Sequence, residues 1–334
     1  LQTFKITDQI TGRLMGIRAD ITPQVARIDA HRLPTEAPQR LCYLGPVLHT
    51  RPDKFAGSRN PMQVGAELYG HAGIESDAEI VCMMADVLEL AGVDALTIEL
   101  GHMGVFRALS NAAKLDHDAT DKLLDALLRK AEDEVIDCLN ENHVDVGTRN
   151  QIIGLLGLNG GVETIERAKR LMSDAQPIVR EAIDTIDDLI DLLRERIPAV
   201  DLHVDLAELR GYRYHTGVTF AAYVPGEGRG MAWGGRYDNI GRQFGRGRAA
   251  TGFSTDLKNL ISAGRHAIAS PSRVFAPAGN DPALLEAIAE MRRGGTIVVQ
   301  QLPGQVGGAH EMGCTSILVR HDADWQLEVL EDGG

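Results

Sequence analysis

Cysteine is scarce and widely spaced in this sequence. The 334 residues include four cysteines, at 42, 82, 138 and 314, with no CxxC or other metal-ligand spacing. This pattern predicts reduced thiols rather than disulfides or a zinc site. The sequence also lacks an apolar run long enough to cross a bilayer, and it lacks a GxGxxG motif between a strand and a helix. We therefore expect no metal, no cofactor and no membrane-spanning helix.

Basic residues and aromatic residues are also in short supply. Aromatic residues make up 4% of the chain, and 47 acidic against 34 basic residues give a formal charge of −13 at pH 7. An acidic chain disfavours general coating of nucleic acid, although a local basic groove could survive on it. The apolar content of 44% is ordinary for a globular protein, and the length suffices for a large domain and a small one. The chain begins at Leu1 inside apparent structure, so we expect its natural N-terminus to lie upstream.

The polar stretch 208–217 lies between two segments, 201–206 and 218–224, that have the alternation of strands. Glycines at 211 and 217 supply backbone freedom, which favours a tight connection inside a sheet. The stretch combines cations, phenols and an imidazole: Arg210, Arg213, Tyr212, Tyr214 and His215. Two interpretations are about equally supported. The stretch is either a solvated connection or one wall of a cleft that recognises a small polar zwitterion.

A helix is predicted to begin near Asp20. Pro23 suits the first helical position, and Asp20 or Thr22 suits the N-cap. The same two side chains at a helix N-terminus can contact a ligand amine, although capping is their more common use. The sequence leaves both roles open.

The segment 61–69 is predicted to be a strand with one polar face. Gln63, Gly65 and Glu67 alternate with apolar residues, so the three share a face of the strand. An exposed strand would explain this pattern. The floor of a binding site explains it better if the neighbouring strands also carry polar groups on that face.

The chain divides into a large sheet domain and a small C-terminal domain. Residues 104–197 have helical spacing, including single helices over 119–140 and 179–197, and are predicted to form a helical insertion within the sheet domain, 1–264. Residues 265–273 have the composition of a linker. Residues 274–334 alternate strand and helix patterns, which predicts a small α/β domain.

Four segments, taken together and in order, resemble the core of histidyl-tRNA synthetases. They are Arg18-Ala-Asp-Ile-Thr-Pro23, Arg59 with Gln63-Val-Gly-Ala-Glu67, Leu209-Arg-Gly-Tyr-Arg-Tyr-His-Thr-Gly217 and Gly234-Gly-Arg-Tyr-Asp238. The resemblance covers about residues 1–264. It implies an α+β, class II aminoacyl-tRNA synthetase-like fold, in which an antiparallel sheet is flanked by helices and carries a helical insertion.

The resemblance also implies a pocket shaped for histidine. Asp20, Thr22 and Gln63 would contact the α-ammonium group, and Glu67 would face the imidazole. Charge-assisted hydrogen bonds of this kind contribute about 1.5–3 kcal/mol each.

The remaining pocket residues lie in the 208–217 stretch. Arg210 would bind the carboxylate, with Tyr214 nearby, and His215 stands where the synthetases usually have a tyrosine. Asp20 is one methylene shorter than the acidic residue usual at its position.

The nucleotide side departs further from the synthetase pattern. His49 and Thr50 stand where an arginine and a glutamate grip ATP, and Asn259 replaces the arginine that clamps the γ-phosphate; Lys258 is one position away from it. Loss of one preorganised charge typically lowers the rate on the order of 10²–10³-fold. We therefore expect no adenylate formation.

A synthetase-like pocket without an ATP grip indicates a paralogue. Residues 18–31 and 209–217 resemble signature strings of ATP phosphoribosyltransferase regulatory subunits, and this resemblance spans essentially the whole chain. It implies a non-catalytic cytoplasmic protein that self-associates as a dimer, binds no tRNA, and joins a short-form catalytic subunit in a hetero-octamer. Histidine would be the feedback effector. The alternatives are a histidyl-tRNA synthetase and a stand-alone histidine sensor.

Overall fold

The computed structural model divides into two units, Leu1–Arg265 and His266–Gly334. The described residues are 3–33, 35–51, 58–93, 95–226, 228, 230–265, 272–322 and 324–330. Most of the predicted linker, residues 266–271, lies outside them. The exact domain boundaries and the linker therefore stay predictions.

The strands described in the first unit form a hairpin and one large sheet. In chain order they are β1 (Lys5–Thr7), β2 (Leu14–Gly16), β3 (Gln39–Pro46), β4 (Met62–Tyr69), β5 (Thr97–His102), β6 (Asn159–Gly161), β7 (Asp201–Asp205), β8 (Val218–Tyr223), β9 (Gly230–Arg236) and β10 (Ala250–Asp256). Strands β1 and β2 pair only with each other. The large sheet has the order β3-β4-β10-β9-β8-β5-β7-β6, and its neighbours are antiparallel except β5 and β7. This topology confirms the predicted antiparallel sheet.

Helices flank this sheet. In chain order they are α1 (Thr22–Arg32), α2 (Ile74–Leu90), α3 (Met103–Ala112), α4 (His117–Leu128), α5 (Glu132–Glu141), α6 (Val146–Gly154), α7 (Thr164–Leu171), α8 (Pro177–Arg196) and α9 (Leu257–Ala263). Helices α3 to α8 lie between β5 and β7 in the chain, so the helical insertion is confirmed. In α8, Ile183, Ile186, Ile190 and Leu193 recur at steps of three and four residues and are buried in the core that the helix shares with the sheet.

The single helix predicted over residues 119–140 is wrong, because the chain forms α4 and α5 there. The break falls at Lys130, whose φ of 55° is in the left-handed region. The Lys130 Nζ lies 2.8 Å from Oδ2 of the buried Asp205 at the end of β7. The ion pair attaches the break to the sheet, and helical periodicity alone gives no signal for such a long-range contact. The short strand β6 inside the insertion was also not predicted.

The predicted N-cap of α1 is wrong by one residue. The cap position is Ile21, which makes no side-chain cap bond. Asp20 still accepts a hydrogen bond from the Thr22 N–H at 3.0 Å through Oδ1. Asp20 therefore satisfies one of the free amides of the first turn from just outside the helix.

Residues 208–217, predicted to be a tight connection between two strands, join strands that are not adjacent in the sheet. Strands β7 and β8 are not neighbours, because β5 lies between them in the sheet. The connection therefore crosses the end of β5 before β8 begins. This crossing brings its side chains over the face of the sheet that carries Glu99 and Gly101.

The second unit has the predicted α/β composition. It comprises β11 (Arg273–Ala276), α10 (Pro282–Arg293), β12 (Ile297–Gln300), β13 (Ser316–His321) and β14 (Asp324–Val329). The sheet order is β12-β11-β13-β14, with β14 antiparallel to β13 and the other neighbours parallel. Leu284 and Ile288 of α10 are buried with Val274, Val298 and Leu318 of the sheet, which gives this unit its own core.

A buried ion pair ties α2 to the large sheet. Arg236, at the end of β9, donates to Asp77 Oδ2 at 2.7 Å, and the two side chains are 10% and 2% exposed. Burial raises the pKa of Asp77 more than Arg236 lowers it. Removing the two charges from water therefore costs free energy that the ion pair must offset. Arg236 also donates to Ser76 Oγ at 2.9 Å.

We expect Asp77→Ala to lower the free energy of unfolding by about 3–5 kcal/mol, because it leaves a buried guanidinium without its main partner. Asp121→Ala is the matched control, since Asp121 pairs with Arg213 at the exposed surface. Urea-induced unfolding of both variants measures the difference. Equal effects of the two substitutions would contradict a structural role for the buried pair.

Candidate functional site

One face of the large sheet carries small and polar residues in register. Residues directly opposite each other on neighbouring strands share a face. One such row runs across six strands: Leu41, Glu67, Gly252, Gly235, Thr219 and Gly101. The predicted face of Gln63, Gly65 and Glu67 is confirmed, and Asp256 and Ser254 extend it on β10. The neighbouring strands therefore bring the polar groups that a site floor requires.

Four of the sequence-predicted residues form a compact group at the start of α1 and on β4. We call Asp20, Thr22, Gln63 and Glu67 the Glu67 cluster. Gln63 donates to Asp20 Oδ1 at 2.9 Å and accepts from the Ile21 N–H at 2.9 Å. Both ends of the Gln63 amide are thus engaged inside the protein.

The carboxyl group of Glu67 is buried, with 2% of the residue exposed. Tyr237 donates its phenolic hydrogen to Glu67 Oε2. Burial raises the pKa of Glu67 to about 8 and outweighs the hydrogen bonds from Tyr237, Thr22 and Tyr43, which lower it. Glu67 is therefore mostly protonated at neutral pH in this arrangement.

Glycine makes this burial possible. A Cβ at position 252 would collide with Glu67 Oε2, and one at position 65 would collide with the phenol of Tyr43. Thr22 Oγ1 lies 3.2 Å from Tyr43 Oη, which closes the cluster on the α1 side. The space for the carboxyl and its phenol partners exists because two strand positions lack side chains.

The stretch 208–217 distributes its side chains to different places. Tyr214 stacks on Tyr237 with ring centroids 5.2 Å apart, so it adjoins the Glu67 cluster. Tyr212 packs edge-on against Phe106 of α3, and Arg213 pairs with Asp121 at the surface. The side chains of Tyr212 and Arg213 therefore lie away from both the cluster and the cavity described next.

Arg210 and His215 line a cavity of about 230 Å³ over β5, β8 and β9. We call it the Glu99 cavity, and its lining residues are Glu99, Gly101, Glu208, Arg210, Gly211, His215, Thr219, Phe220, Ala221, Tyr223, Trp233 and Gly234. Burial lowers the pKa of His215 to about 4, so its ring is neutral. The Arg210 Nε lies 3.3 Å from Glu208 Oε1 and its side chain is 59% exposed.

The seven predicted residues lie in two neighbouring groups on the same side of the sheet. Glu67 lies on β4, and the His215 ring lies beside Gly235 on β9, which is two strand intervals away. At about 4.8 Å per interval, the separation of these two strands is roughly 10 Å. Asp20, Thr22, Gln63 and Glu67 are together, Arg210 and His215 line the cavity, and Tyr214 lies between. The role of these residues in binding histidine stays a prediction.

The sequence gives no signal for several groups near Glu67, because their partners are distant in the chain. Tyr43 and Tyr237 reach Glu67 from β3 and from just beyond β9. Glu99 and Trp233 are different, because strand alternation gives a signal for them: Ile98 and Leu100 are buried on one face, which directs Glu99 to the other.

Two side chains at or next to the positions that the resemblance assigns to the ATP grip contact backbone carbonyls. His49 Nε2 lies 3.0 Å from the Ala19 carbonyl oxygen, and Lys258 Nζ donates to the Asn60 carbonyl at 2.6 Å. Arg59 donates to the His49 carbonyl at 3.2 Å. In the part of the chain that the structure describes, no group of three or more His, Cys, Asp or Glu side chains is placed to hold a metal ion.

Two family models match the chain in sequence. The model described as "Histidyl-tRNA synthetase" matches residues 1–260, and "ATP phosphoribosyltransferase subunit HisZ C-terminal domain" matches residues 271–328. A structure titled "ATP phosphoribosyltransferase regulatory subunit/histidyl-tRNA synthetase" from Bacillus halodurans is similar with a TM-score of 0.80 and 26% identity, over 93% of this chain and 80% of that one. Together with the sheet topology, these matches define a histidyl-tRNA synthetase-like class II fold, as the resemblance implied.

Relatives in sequence narrow the class to a family. A protein of Thioalkalivibrio sulfidiphilus described as "ATP phosphoribosyltransferase regulatory subunit" is 52% identical over 99% of this chain and 84% of that protein. The chain belongs to the family of ATP phosphoribosyltransferase regulatory subunits.

A third similar protein is known as part of a complex. A structure titled "ATP phosphoribosyl transferase (HisG:HisZ) complex" from Thermotoga maritima has a TM-score of 0.59 and 20% identity, over 76% of this chain and 85% of that one. At this identity the likeness shows the fold alone. Among the described residues, no helix has the length and apolar character needed to cross a membrane.

The raised pKa of Glu67 predicts a pH dependence of stability. The folded state holds the proton up to about pH 8, whereas the unfolded state releases it near 4.5. Stability from this group is therefore present at low pH and is lost as the pH rises from about 4.5 to 8. The loss in the free energy of unfolding is at most roughly 5 kcal/mol, because the pKa shift from 4.5 to about 8 is worth about 1.4 kcal/mol per pH unit. We expect Glu67→Gln to remove this loss.

The measurement is urea-induced unfolding of the wild type and of Glu67→Gln between pH 5 and 9. The control is Glu134→Gln, because Glu134 is exposed and Arg129 lowers the pKa of its carboxyl. Parallel pH profiles for the wild type and Glu67→Gln would contradict the buried, protonated carboxyl.

Proposed function

We propose that the chain is a non-catalytic cytoplasmic subunit that activates the short-form catalytic subunit of ATP phosphoribosyltransferase and confers histidine feedback on it. The catalytic partner transfers a phosphoribosyl group from PRPP to ATP in the first step of histidine biosynthesis. In this proposal the chain self-associates as a dimer, joins the partner in a hetero-octamer and binds no tRNA.

The observation that carries the proposal is family membership over essentially the whole chain, at 52% identity to a regulatory subunit. The similar Thermotoga maritima structure, a HisG:HisZ complex of ATP phosphoribosyl transferase, supports the assembly with a catalytic partner. The C-terminal unit matches the model of the HisZ C-terminal domain over residues 271–328. This match also favours a regulatory subunit over a synthetase.

The positions that would grip ATP support a non-catalytic role. His49 and Lys258 hold backbone carbonyls of the chain itself, and Asn259 replaces a γ-phosphate arginine of the synthetases. An electrostatic stabiliser must be free to meet the charge that develops in the transition state. Side chains that are hydrogen-bonded to the chain's own carbonyls are not free to stabilise the charge of a triphosphate.

Histidine feedback requires that histidine favour one arrangement of the complex over another. We propose that Asp20, Thr22, Gln63 and Glu67 contact the amino group and the imidazole, while Arg210, Tyr214 and His215 approach from the 208–217 stretch. The internal hydrogen bonds of the Glu67 cluster would have to exchange for bonds to the ligand. Binding and rearrangement of the site are then coupled.

Two other functions are compatible with the fold and are separated from the regulatory function by the first test below. A histidyl-tRNA synthetase is favoured by the family match over residues 1–260. A stand-alone histidine sensor would use the same pocket without a fixed partner.

The first test mixes the purified chain with the short catalytic subunit and measures phosphoribosyl transfer with and without histidine. We expect a stable complex, a higher rate than that of the catalytic subunit alone, and inhibition by histidine. The absence of both a complex and a rate change would overturn the regulatory proposal. ATP–pyrophosphate exchange that depends on histidine would establish the synthetase instead.

The second test substitutes the proposed histidine contacts. We expect Glu67→Ala and Arg210→Ala to weaken inhibition by histidine about ten-fold or more, because each leaves a polar group of the bound ligand without its hydrogen-bond partner. Arg213→Ala is the control, because Arg213 lies in the same stretch and pairs with Asp121 at the surface. Unchanged inhibition in both variants would move the effector site elsewhere.

A further inference from the structure

The helical insertion holds the 208–217 stretch at both of its ends. Just before the stretch, the Leu206 N–H donates to the Leu158 carbonyl of the insertion at 3.1 Å. At its far end, the Met103 N–H of α3 donates to the Gly217 carbonyl at 2.9 Å. The stretch is therefore tied to the insertion where it leaves β7 and again where it enters β8.

The middle of the stretch turns back on itself and is closed by an arginine of α3. The N–H groups of Tyr214 and His215 both donate to the Gly211 carbonyl, at 2.7 and 2.9 Å. The carbonyls of Tyr212 and His215 accept instead from Nη2 of Arg107, at 3.2 and 2.8 Å. One guanidinium nitrogen thus satisfies two backbone acceptors that the turn does not use itself.

Ring contacts hold this arginine against the stretch. The Arg107 guanidinium carbon lies 5.3 Å from the centroid of the Tyr212 ring, and that ring packs edge-on against Phe106 of α3 with centroids 5.1 Å apart. Both arrangements are favourable for aromatic rings. Among the described residues, Arg107 forms no ion pair with a carboxylate, so the stretch supplies the partners of its charge.

Helix α3 is a firm support for Arg107. Its first turn is capped by His102, whose Nδ1 accepts from the Gly104 N–H at 3.0 Å. Burial lowers the pKa of His102 to about 4, so the ring is neutral and able to accept at ordinary pH. Phe106 and Leu109 are buried in the main core. The position of Arg107 is therefore fixed relative to the sheet.

The residues that Arg107 holds are residues of the proposed histidine site. Tyr214 adjoins the Glu67 cluster, and Arg210 and His215 line the Glu99 cavity. Arg107 is not one of the residues that line this cavity. It bonds the backbone of the wall, whereas the wall's own side chains are the ones proposed to meet histidine.

We propose that Arg107 is a positioning residue, through which the helical insertion sets the affinity of the site for histidine. The inference rests on the proposed function, in which Arg210, Tyr214 and His215 approach the ligand. A wall that is ordered before the ligand arrives loses less conformational entropy on binding. Where the wall samples other conformations, the apparent affinity falls with the fraction of molecules that have the competent one.

The first measurement is hydrogen exchange of the unliganded full chain, followed by mass spectrometry. We expect Arg107→Ala to speed exchange of the 208–217 amides about ten-fold or more, because two carbonyls of the turn lose their donor. Peptides from α4 to α8 should exchange as in the wild type. Arg129→Ala is the matched control, because this second arginine of the insertion pairs with Asp125 and Glu134 at the exposed surface.

The second measurement is isothermal titration with histidine. We expect Arg107→Ala to raise the dissociation constant about ten-fold or more, and Arg129→Ala to leave it within about two-fold. Arg107→Lys keeps the charge and can still donate to a carbonyl, so its loss should be smaller than that of Arg107→Ala.

Chemical rescue separates positioning from general damage to the fold. Guanidinium ion, at concentrations below those that unfold the protein, should restore part of the histidine affinity of Arg107→Ala, because it can donate to the same two carbonyls. It should leave the affinity of the wild type unchanged. A loss of affinity caused by misfolding would not respond to the ion.

The outcomes distinguish this inference from the function on which it rests. No histidine binding by the wild type would overturn the proposed histidine site and this inference with it. Normal binding by the wild type and equally tight binding by Arg107→Ala would overturn this inference alone. Unchanged exchange of the 208–217 amides, exchange that is faster throughout the insertion, or no rescue by guanidinium would overturn it as well.

Discussion

The burial of the Glu67 carboxyl beneath a glycine-lined face is the constraint on which the predicted site depends. The carboxyl fits because position 252 on the neighbouring strand has no side chain, and it stays there because Tyr237 donates to it. An acid in such surroundings keeps its proton to about pH 8. The phenols, the start of α1 and Tyr214 of the 208–217 stretch are all placed around this one group.

Several polar side chains in and around this site form hydrogen bonds with other groups of the same chain. Gln63 joins Asp20 to the start of α1, and His49 and Lys258 hold backbone carbonyls. In an enzyme such groups would be preorganised for a reacting substrate. Here they bond to other groups of the chain and stabilise its conformation. A ligand that recruits them must replace internal bonds, which couples binding to a change of shape and suits a regulatory subunit.

Local patterns predicted most of the fold, and long-range contacts caused the errors. The period-two alternation placed Gln63 and Glu67 on one face, and the three-and-four spacing found α8, because both signals are local. The break between α4 and α5 depends on Lys130 reaching Asp205, which lies 75 residues away. The family resemblance proposed one pocket. It could not show that Arg210 lies beside Glu208 and Glu99, because a motif carries no distance between its residues and their neighbours.

Arg107 connects the helical insertion to the wall of the Glu99 cavity. Its Nη2 donates to the carbonyls of Tyr212 and His215 at 3.2 and 2.8 Å, and its guanidinium lies over the Tyr212 ring. A redesign that shortens the insertion therefore has to keep α3 and this arginine, besides the part of α8 that is buried against the sheet. Without α3 and Arg107 the 208–217 stretch would lose its support, even though every residue that lines the cavity was retained.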